Sequence, residues 1–204
     1  MITIIDYGSG NINAIENIYK NLKVPYKIAH TPEQAVDAEK LFLPGVGAFD
    51  ETISKLDETG FRSVLDTQVL LNKVPILGIC VGMQILAESS EEGELSGLGY
   101  IKGRVKKMDV TLLTDKPKLP HLGWNTISLT KSISLFENID PDIGFYFLHN
   151  YYFDCTHSAD MVASTNYGKL FASAVARENV FGVQFHPEKS HRNGIQLLHN
   201  FAKI

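Results

Sequence analysis

The sequence predicts an α/β protein built on a parallel sheet with helices on both faces. Three observations predict it. Short apolar runs of strand length alternate with stretches of helical spacing through the first part of the chain, the pattern of repeated strand–helix units. Glycine-bearing turns follow three of those runs, at the carboxyl ends of strands where sites on such sheets lie. Beyond residue 100 the runs become shorter and closer together, which adds antiparallel hairpins.

The elements follow in order. Residues 1–6 form a first strand; Tyr7-Gly8-Ser9-Gly10-Asn11 turns, and Ile12, Ile15, Ile18, Tyr19 and Leu22 keep helical spacing. Residues 24–29 form a second strand. Thr31-Pro32-Glu33 reads as a helix start, with a cap, a proline at the first position and an acid in the first turn. Residues 40–43 form a third strand, 50–71 a helix in two pieces broken at Gly60, and 74–79 a fourth strand. Short alternating strands are expected between 100 and 130, notably 101–106 and 124–129; 145–153 is one dense aromatic strand. Residues 161–165, 171–177 and 180–185 read as three further strands, and helical spacing returns at 194–201. No repeat, linker or low-complexity stretch interrupts residues 1–204, which read as one domain.

Composition excludes several classes. A formal net charge of -4 is unlike a general nucleic-acid binder. No apolar run is long enough to cross a membrane, and the N-terminus is a strand rather than a signal peptide, so the cytoplasm is the default location. The two cysteines, Cys80 and Cys155, make no disulfide framework, and no metal-ligand spacing appears.

The chemistry concentrates at Ile76-Leu77-Gly78-Ile79-Cys80-Val81-Gly82-Met83-Gln84. An apolar strand runs through Gly-x-Cys-x-Gly into the helical spacing of Met83, Leu86 and Ala87, the strand–turn–helix shape of a nucleophile elbow with sulfur as nucleophile. A Cβ at position 78 or 82 would crowd the backbone there. A helix N-terminus behind Cys80 favours thiolate, and the Val81 N–H points where an oxyanion would form. Pro44-Gly45-Val46-Gly47-Ala48-Phe49 follows the third strand and can turn backbone N–H groups toward a ligand. His186 and Glu188 stand two apart around Pro187, so in extended geometry their side chains leave on one side. A carboxylate beside an imidazole fixes its tautomer and stabilises the imidazolium. Cys80, His186 and Glu188 thus form a candidate nucleophile–base–orienter set. Other features have plainer readings. His149 is a hydrogen-bonded core histidine and Cys155 a structural cysteine. The acidic loop from Glu88 to Glu94 is solvated, with one acid able to meet a substrate amine. Lys102, Arg104 and Lys106 are a solvated strand face or a dock for an acidic partner.

Gly-Ile-Cys80-Val-Gly-Met-Gln and Phe-His186-Pro-Glu188-Lys-Ser resemble the signatures of class I glutamine amidotransferases. Asp6-Tyr-Gly-Ser-Gly-Asn11, Pro44-Gly-Val-Gly-Ala-Phe49 and Pro120-His-Leu-Gly-Trp-Asn125 narrow the resemblance to the glutaminase subunits of imidazole glycerol phosphate synthases. The resemblance runs end to end. It implies a single type 1 domain over 1–204 with a flavodoxin-like α/β fold: a mixed central sheet, helices on both faces and an added antiparallel β region. It implies hydrolysis of the glutamine side-chain amide without cofactor or metal. Cys80 would attack, His186 would move protons, and Glu188 would orient it. Val81 and the Gly45-Val46-Gly47 loop would supply the oxyanion hole. Gln84, Asn150 and Tyr151 would hold glutamine, although the family more often carries a small hydroxyl residue where this chain has Asn150. It further implies a heterodimer with a (β/α)8-barrel cyclase subunit that receives the ammonia, with Asn11, Trp124, Tyr146 and Lys189 at the interface. Three alternatives stand beside it: a paralogous glutaminase feeding amidine formation on surface-polysaccharide sugars, a stand-alone cysteine hydrolase of γ-glutamyl bonds, and a catalytically silent binding subunit.

Overall fold

The computed structural model describes residues 1–113 and 119–204. The first strands are β1 (Ile2–Ile5), β2 (Tyr26–Ala29), β3 (Lys40–Leu43) and β4 (Ile76–Ile79), with helices α1 (Ile12–Asn21), α2 (Phe49–Glu58) and α3 (Phe61–Asp66) between them. Gly60 separates α2 from α3 with φ of 76°, a left-handed turn that glycine adopts without strain. The second piece runs on as a π-helical stretch through Thr67–Leu71. The helix expected after Thr31 is only one 3-10 turn, Pro32–Ala35. The cap and proline are used as read, but few residues remain before β3 for a longer helix.

A single turn, α4 (Val81–Gln84), follows β4. The second half carries β5 (Ser89–Ser90), β6 (Gly103–Lys107), β7 (His121–Asn125), β8 (Ser128–Leu129), β9 (Phe145–His149), β10 (Tyr151–Cys155), β11 (Met161–Tyr167), β12 (Lys169–Arg177) and β13 (Val180–Val183), then α5 (His191–Lys203). The strand expected over 124–129 is two pieces. The Asn125 side chain accepts from the Thr126 N–H at 2.8 Å and turns the chain between β7 and β8. Part of the β-rich region expected over 100–130, including Lys118, lies outside the described residues. The aromatic run 145–153 is also two strands, because the chain changes sheets at exposed Asn150. His149 pairs with His121 across β9 and β7, whereas Tyr151 pairs with Lys107 across β10 and β6.

The main sheet runs β2-β1-β3-β4-β13-β12-β10-β6-β5, with β11 on β12 and β8 on β11; β7 and β9 form a second, two-stranded antiparallel sheet. β2, β1, β3, β4 and β13 are mutually parallel, and β12, β10 and β6 continue antiparallel. β1 and β4 are buried at every residue, as strands covered on both faces must be, and so read as unbroken apolar runs. The mixed sheet is therefore the one the resemblance implies.

Strand order positions the site. β4 lies between β3 and β13, in register Leu43↔Gly78 and Val183↔Ile79. The chain leaving β3 toward Gly45, the chain leaving β4 at Cys80 and the chain leaving β13 toward His186 therefore emerge side by side at one edge. Residues far apart in sequence meet because their strands are neighbours.

Candidate active site

Cys80 has φ of 54° and ψ of −113°, a backbone conformation rare for a residue with a side chain. The local sequence permits it because nothing beyond hydrogen fits at the two flanking positions. A Cβ on Gly78 would lie 2.4 Å from the Gly82 carbonyl oxygen, and one on Gly82 would lie 2.2 Å from that of Leu43. The close approach of α4 to β3 and β4 thus demands both glycines. α4 ends after one turn, since the carbonyls of Ile85, Leu86 and Ala87 accept from Leu98, Ile101 and Gly99 instead of from a continuing helix. The dipole behind Cys80 is accordingly smaller than the Met83–Leu86–Ala87 spacing suggests.

Side chains make up that support. His186 and Glu188 are nearly sealed from solvent, and His186 Nδ1 lies 2.8 Å from Glu188 Oε1. A carboxylate only accepts, so Nδ1 carries the hydrogen. Cys80 is close enough to act on the same imidazole; its sulfur lies 3.9 Å from the Leu148 carbonyl oxygen, and Nε2 is the ring nitrogen not engaged by Glu188. Burial alone would drive the proton off His186, but the hydrogen bonds and charges of Cys80 and Glu188 outweigh it and push the imidazole up to about 10. Glu188 Oε2 is buried without a hydrogen-bond partner among the described residues.

Gln184, fully buried in the run leading out of β13, was not singled out by sequence. Its Nε2 reaches Cys80 Sγ at 3.8 Å and its Oε1 accepts from Gln84 Nε2 at 3.0 Å. An amide alternating between apolar residues gives no periodic signal that separates it from a solvent-facing one. Cys155 is free and half-buried, and partial burial with the charges of Asp160 and Asp154 pushes its thiol up to about 12, which leaves it inert.

A cleft of about 260 Å³ opens over the sulfur. Cys80, Val81, Gln84, Asn150, Tyr151 and His186 line it, together with Val46 and Gly47 of the loop after β3. The loop is held from behind. Ser9 Oγ accepts from the Val46 N–H at 3.0 Å and donates to the Val46 carbonyl at 2.8 Å, and Tyr7 donates to the Pro44 carbonyl. The Val46 N–H is thus engaged with Ser9, not turned into the cleft. Gly45 packs against α4, where a Cβ would meet the Gly82 nitrogen at 2.3 Å.

Two more residues join the cleft: a histidine that sequence read as core, and one acid of the loop in which sequence left room for an acid to meet a substrate amine. His149 is buried, as expected, yet it lines the cleft. Glu92 lines it too, with Oε2 accepting from the Phe49 N–H at 2.9 Å. Its acidic neighbours are exposed but not merely solvated: Glu88 and Glu91 accept from the Gly103 and Lys107 backbones at 3.2 and 2.9 Å. Lys106 pairs with Asp154 at 2.7 Å, so that basic face is partly occupied. At the rim, Lys189 lies 5.8 Å from the Tyr146 ring and Trp124 6.4 Å from it, centre to centre. Trp124 is 45% exposed. Asn11 precedes α1 on the loop after β1, the strand beside β3. No group of His, Cys, Asp and Glu among the described residues is arranged to hold a metal ion, and no described helix is long and apolar enough to cross a membrane.

The arrangement can add a sulfur nucleophile to a small polar carbonyl compound and hand a proton to the leaving group. Comparison with known proteins agrees in kind. The family model for class-I glutamine amidotransferases matches residues 3–204. The chain is 48% identical over 204 residues to the Leptospira borgpetersenii protein named imidazole glycerol phosphate synthase subunit HisH, covering all of both chains. It is 49% identical over 204 residues to the Bdellovibrio bacteriovorus protein of the same name, again covering all of both. Among solved structures, a glutamine amidotransferase from Thermotoga maritima superposes with a TM-score of 0.68 at 15% identity, over 99% of this chain and 95% of that one. The glutaminase domain of Trypanosoma brucei CTPS with bound acivicin gives 0.66 at 16% identity, over 99% and 93%. These two show likeness of fold.

Proposed function

The chain belongs to the class-I glutamine amidotransferases, and from that premise we propose that it is the glutaminase subunit of an imidazole glycerol phosphate synthase. It would act as a single catalytic domain that releases ammonia from glutamine for a cyclase subunit in histidine biosynthesis. The observation that carries the reading is that Cys80 and a His186 bonded to Glu188 line one cleft at the ends of neighbouring strands, in a chain whose full-length relatives bear that name.

The chemistry follows from the groups present. A protonated imidazole beside a thiol favours the thiolate as the attacking form, and His186 holds its proton at neutral pH. The thiolate adds to the side-chain amide carbon of glutamine; the C–N bond breaks as His186 gives its proton to the departing nitrogen, and ammonia leaves a thioester on Cys80. Neutral His186 then takes a proton from water as that water attacks the thioester, which returns the thiolate–imidazolium pair and releases glutamate. Glu188 holds the ring through both steps. The Val81 N–H and a donor from residues 45–47 would receive the developing oxyanion. Gln84, Asn150 and Tyr151 would hold the amino-acid end of the substrate, with Glu92 opposite its ammonium. Ammonia that escapes to neutral water is protonated and loses its nucleophilic lone pair, so the product must pass directly to a partner. Trp124, Tyr146 and Lys189 at the rim, with Asn11 nearby, offer an aromatic and cationic docking face for a barrel-type cyclase in a heterodimer.

The test is reconstitution. The purified chain is mixed with the cyclase subunit from the same genome, and glutamate formation is followed beside transfer of 15N from the glutamine side chain into imidazole glycerol phosphate. Coupled formation of both supports the proposal; glutamate with no label in the product refutes the assigned pathway, and no glutamate at all refutes the glutaminase.

A further inference from the structure

A buried hydrogen-bonded chain runs into the cleft from the small sheet. His149 Nδ1 lies 2.7 Å from the Tyr151 carbonyl oxygen, and its Nε2 lies 2.9 Å from His121 Nδ1. His121 Nε2 lies 3.1 Å from Asn125 Nδ2. The Tyr151 carbonyl also accepts from Gln84 Nε2 at 3.1 Å, and Gln84 is the amide beside Gln184 and the sulfur.

The direction of every bond can be worked out from one end. Tyr151 O only accepts, so His149 Nδ1 carries a hydrogen. Both imidazoles are buried, which favours the neutral ring; His149 is lowered to about 3 and His121 to about 4, in each case chiefly by burial. A neutral His149 with hydrogen on Nδ1 has a bare Nε2, so His121 must donate from Nδ1. His121 then has a bare Nε2, which must accept from Asn125 Nδ2. The Asn125 amide is set independently: its Oδ1 accepts from the Thr126 N–H at 2.8 Å and its Nδ2 also donates to the Asn166 carbonyl at 3.1 Å. Both ends agree on one polarity. The His121 ring is clamped as well, stacked 4.7 Å from Phe147 on one contact and 4.1 Å from Tyr167 on another.

We infer that His121 and His149 are positioning residues for substrate recognition: a one-way donor chain from Asn125 fixes the Tyr151 carbonyl and, through it, the Gln84 amide that faces the glutamine. The inference rests on the glutaminase reading above. Neither imidazole takes or gives a proton in this role, since each must stay neutral with its hydrogen on Nδ1. The chain sets where glutamine is held, not the reactivity of the sulfur, which His186 and Gln184 govern.

Saturation kinetics of Cys80 labelling with 6-diazo-5-oxo-L-norleucine separate recognition (KI) from chemistry, and iodoacetamide, which needs no amino-acid site, reports the sulfur alone. His149→Leu removes one of the two donors to Tyr151 O and leaves Gln84 Nε2; it is expected to raise KI about tenfold, the effect of one lost buried hydrogen bond, with iodoacetamide labelling within about twofold of wild type. In His149→Asn an amide N–H stands near the place of Nδ1–H, and KI is expected to return toward wild type. Imidazole 15N shifts of the wild-type protein are expected to show both rings neutral with hydrogen on Nδ1 between pH 6 and 8. A folded His149→Leu protein with wild-type KI overturns the inference. So does an Nε2–H tautomer or an imidazolium at either position, a readout that stands even if the leucine variant does not fold. Wild-type protein that reacts with iodoacetamide but shows no saturable labelling by the diazoketone sinks the glutaminase reading instead.

Discussion

Replacing Glu188 by glutamine tests the catalytic row at its buried end. The exchange preserves shape and leaves an oxygen 2.8 Å from His186 Nδ1, but it removes the charge. A hydrogen bond to a charged group contributes about 1.5–3 kcal/mol, and at 1.36 kcal/mol per decade this corresponds to roughly a 10- to 150-fold fall in kcat. KM for glutamine should stay within about twofold, because Glu188 does not line the cleft. The loss has a second signature in pH. His186 titrates at about 10 in the folded chain against an ordinary 6.5. Its protonated form therefore stabilises the fold fully below the unfolded value, and that contribution drains away as pH rises through about 10. The variant loses the carboxylate's part of it, so the Tm gap between wild type and variant should be widest near pH 6 and narrow toward pH 10. Stopped-flow or coupled assays of glutamate release in the reconstituted complex give kcat and KM, and calorimetry gives Tm at each pH. A kcat within threefold of wild type in a folded variant, or a Tm gap that widens with pH, would refute the role given to Glu188.

Three other substitutions probe the surrounding shell. Ser9→Ala removes both hydrogen bonds that hold the Val46 peptide; at about 1 kcal/mol each, glutamate release without partner should rise about fivefold or more as the N–H becomes available to the oxyanion, and a fall would mean that the held loop is already the working one. Gly82→Ala places a Cβ 2.2 Å from the Leu43 oxygen. Since backbone cannot step aside as a side chain can, the variant should melt lower by the equivalent of about 1–3 kcal/mol and label poorly at Cys80; an unchanged Tm would contradict the packing of α4 described above. Glu92→Gln should raise KM about tenfold with kcat within twofold if the carboxylate faces the substrate ammonium, and a pure kcat effect would assign it elsewhere.

How far the sequence could be read depended on whether a feature is local. The strand–turn–helix punctuation from β1 to α4 depends on glycines, proline and apolar periodicity within a few residues, and it was legible. So was the Cys80 elbow, because two glycines at fixed spacing have a steric cause that the Leu43 and Gly82 carbonyls supply. The split of the aromatic run at Asn150 was not, since both strands bury aromatic side chains and only the sheet they join differs. The short α4 was missed for a related reason. Its end is set by N–H groups arriving from 98–101, not by a breaker in its own sequence. The side chains of Gln184 and Glu92 bond partners at least 43 residues away and the two histidines meet across 28, and no spacing rule marks such pairs.

In the proposed reaction Cys80 forms a bond to the side-chain carbonyl carbon of glutamine, with His186 as proton carrier. Intact-mass and peptide mass spectrometry of the chain, quenched in acid during turnover of isotopically labelled glutamine, would detect that bond. A glutamyl adduct is expected on the peptide bearing Cys80 and none on that bearing Cys155, accumulating at first exposure to substrate and absent in Cys80→Ser. Turnover with no adduct on Cys80 at any time point, together with a Cys80→Ser enzyme that still releases glutamate at the wild-type rate, would contradict that reaction.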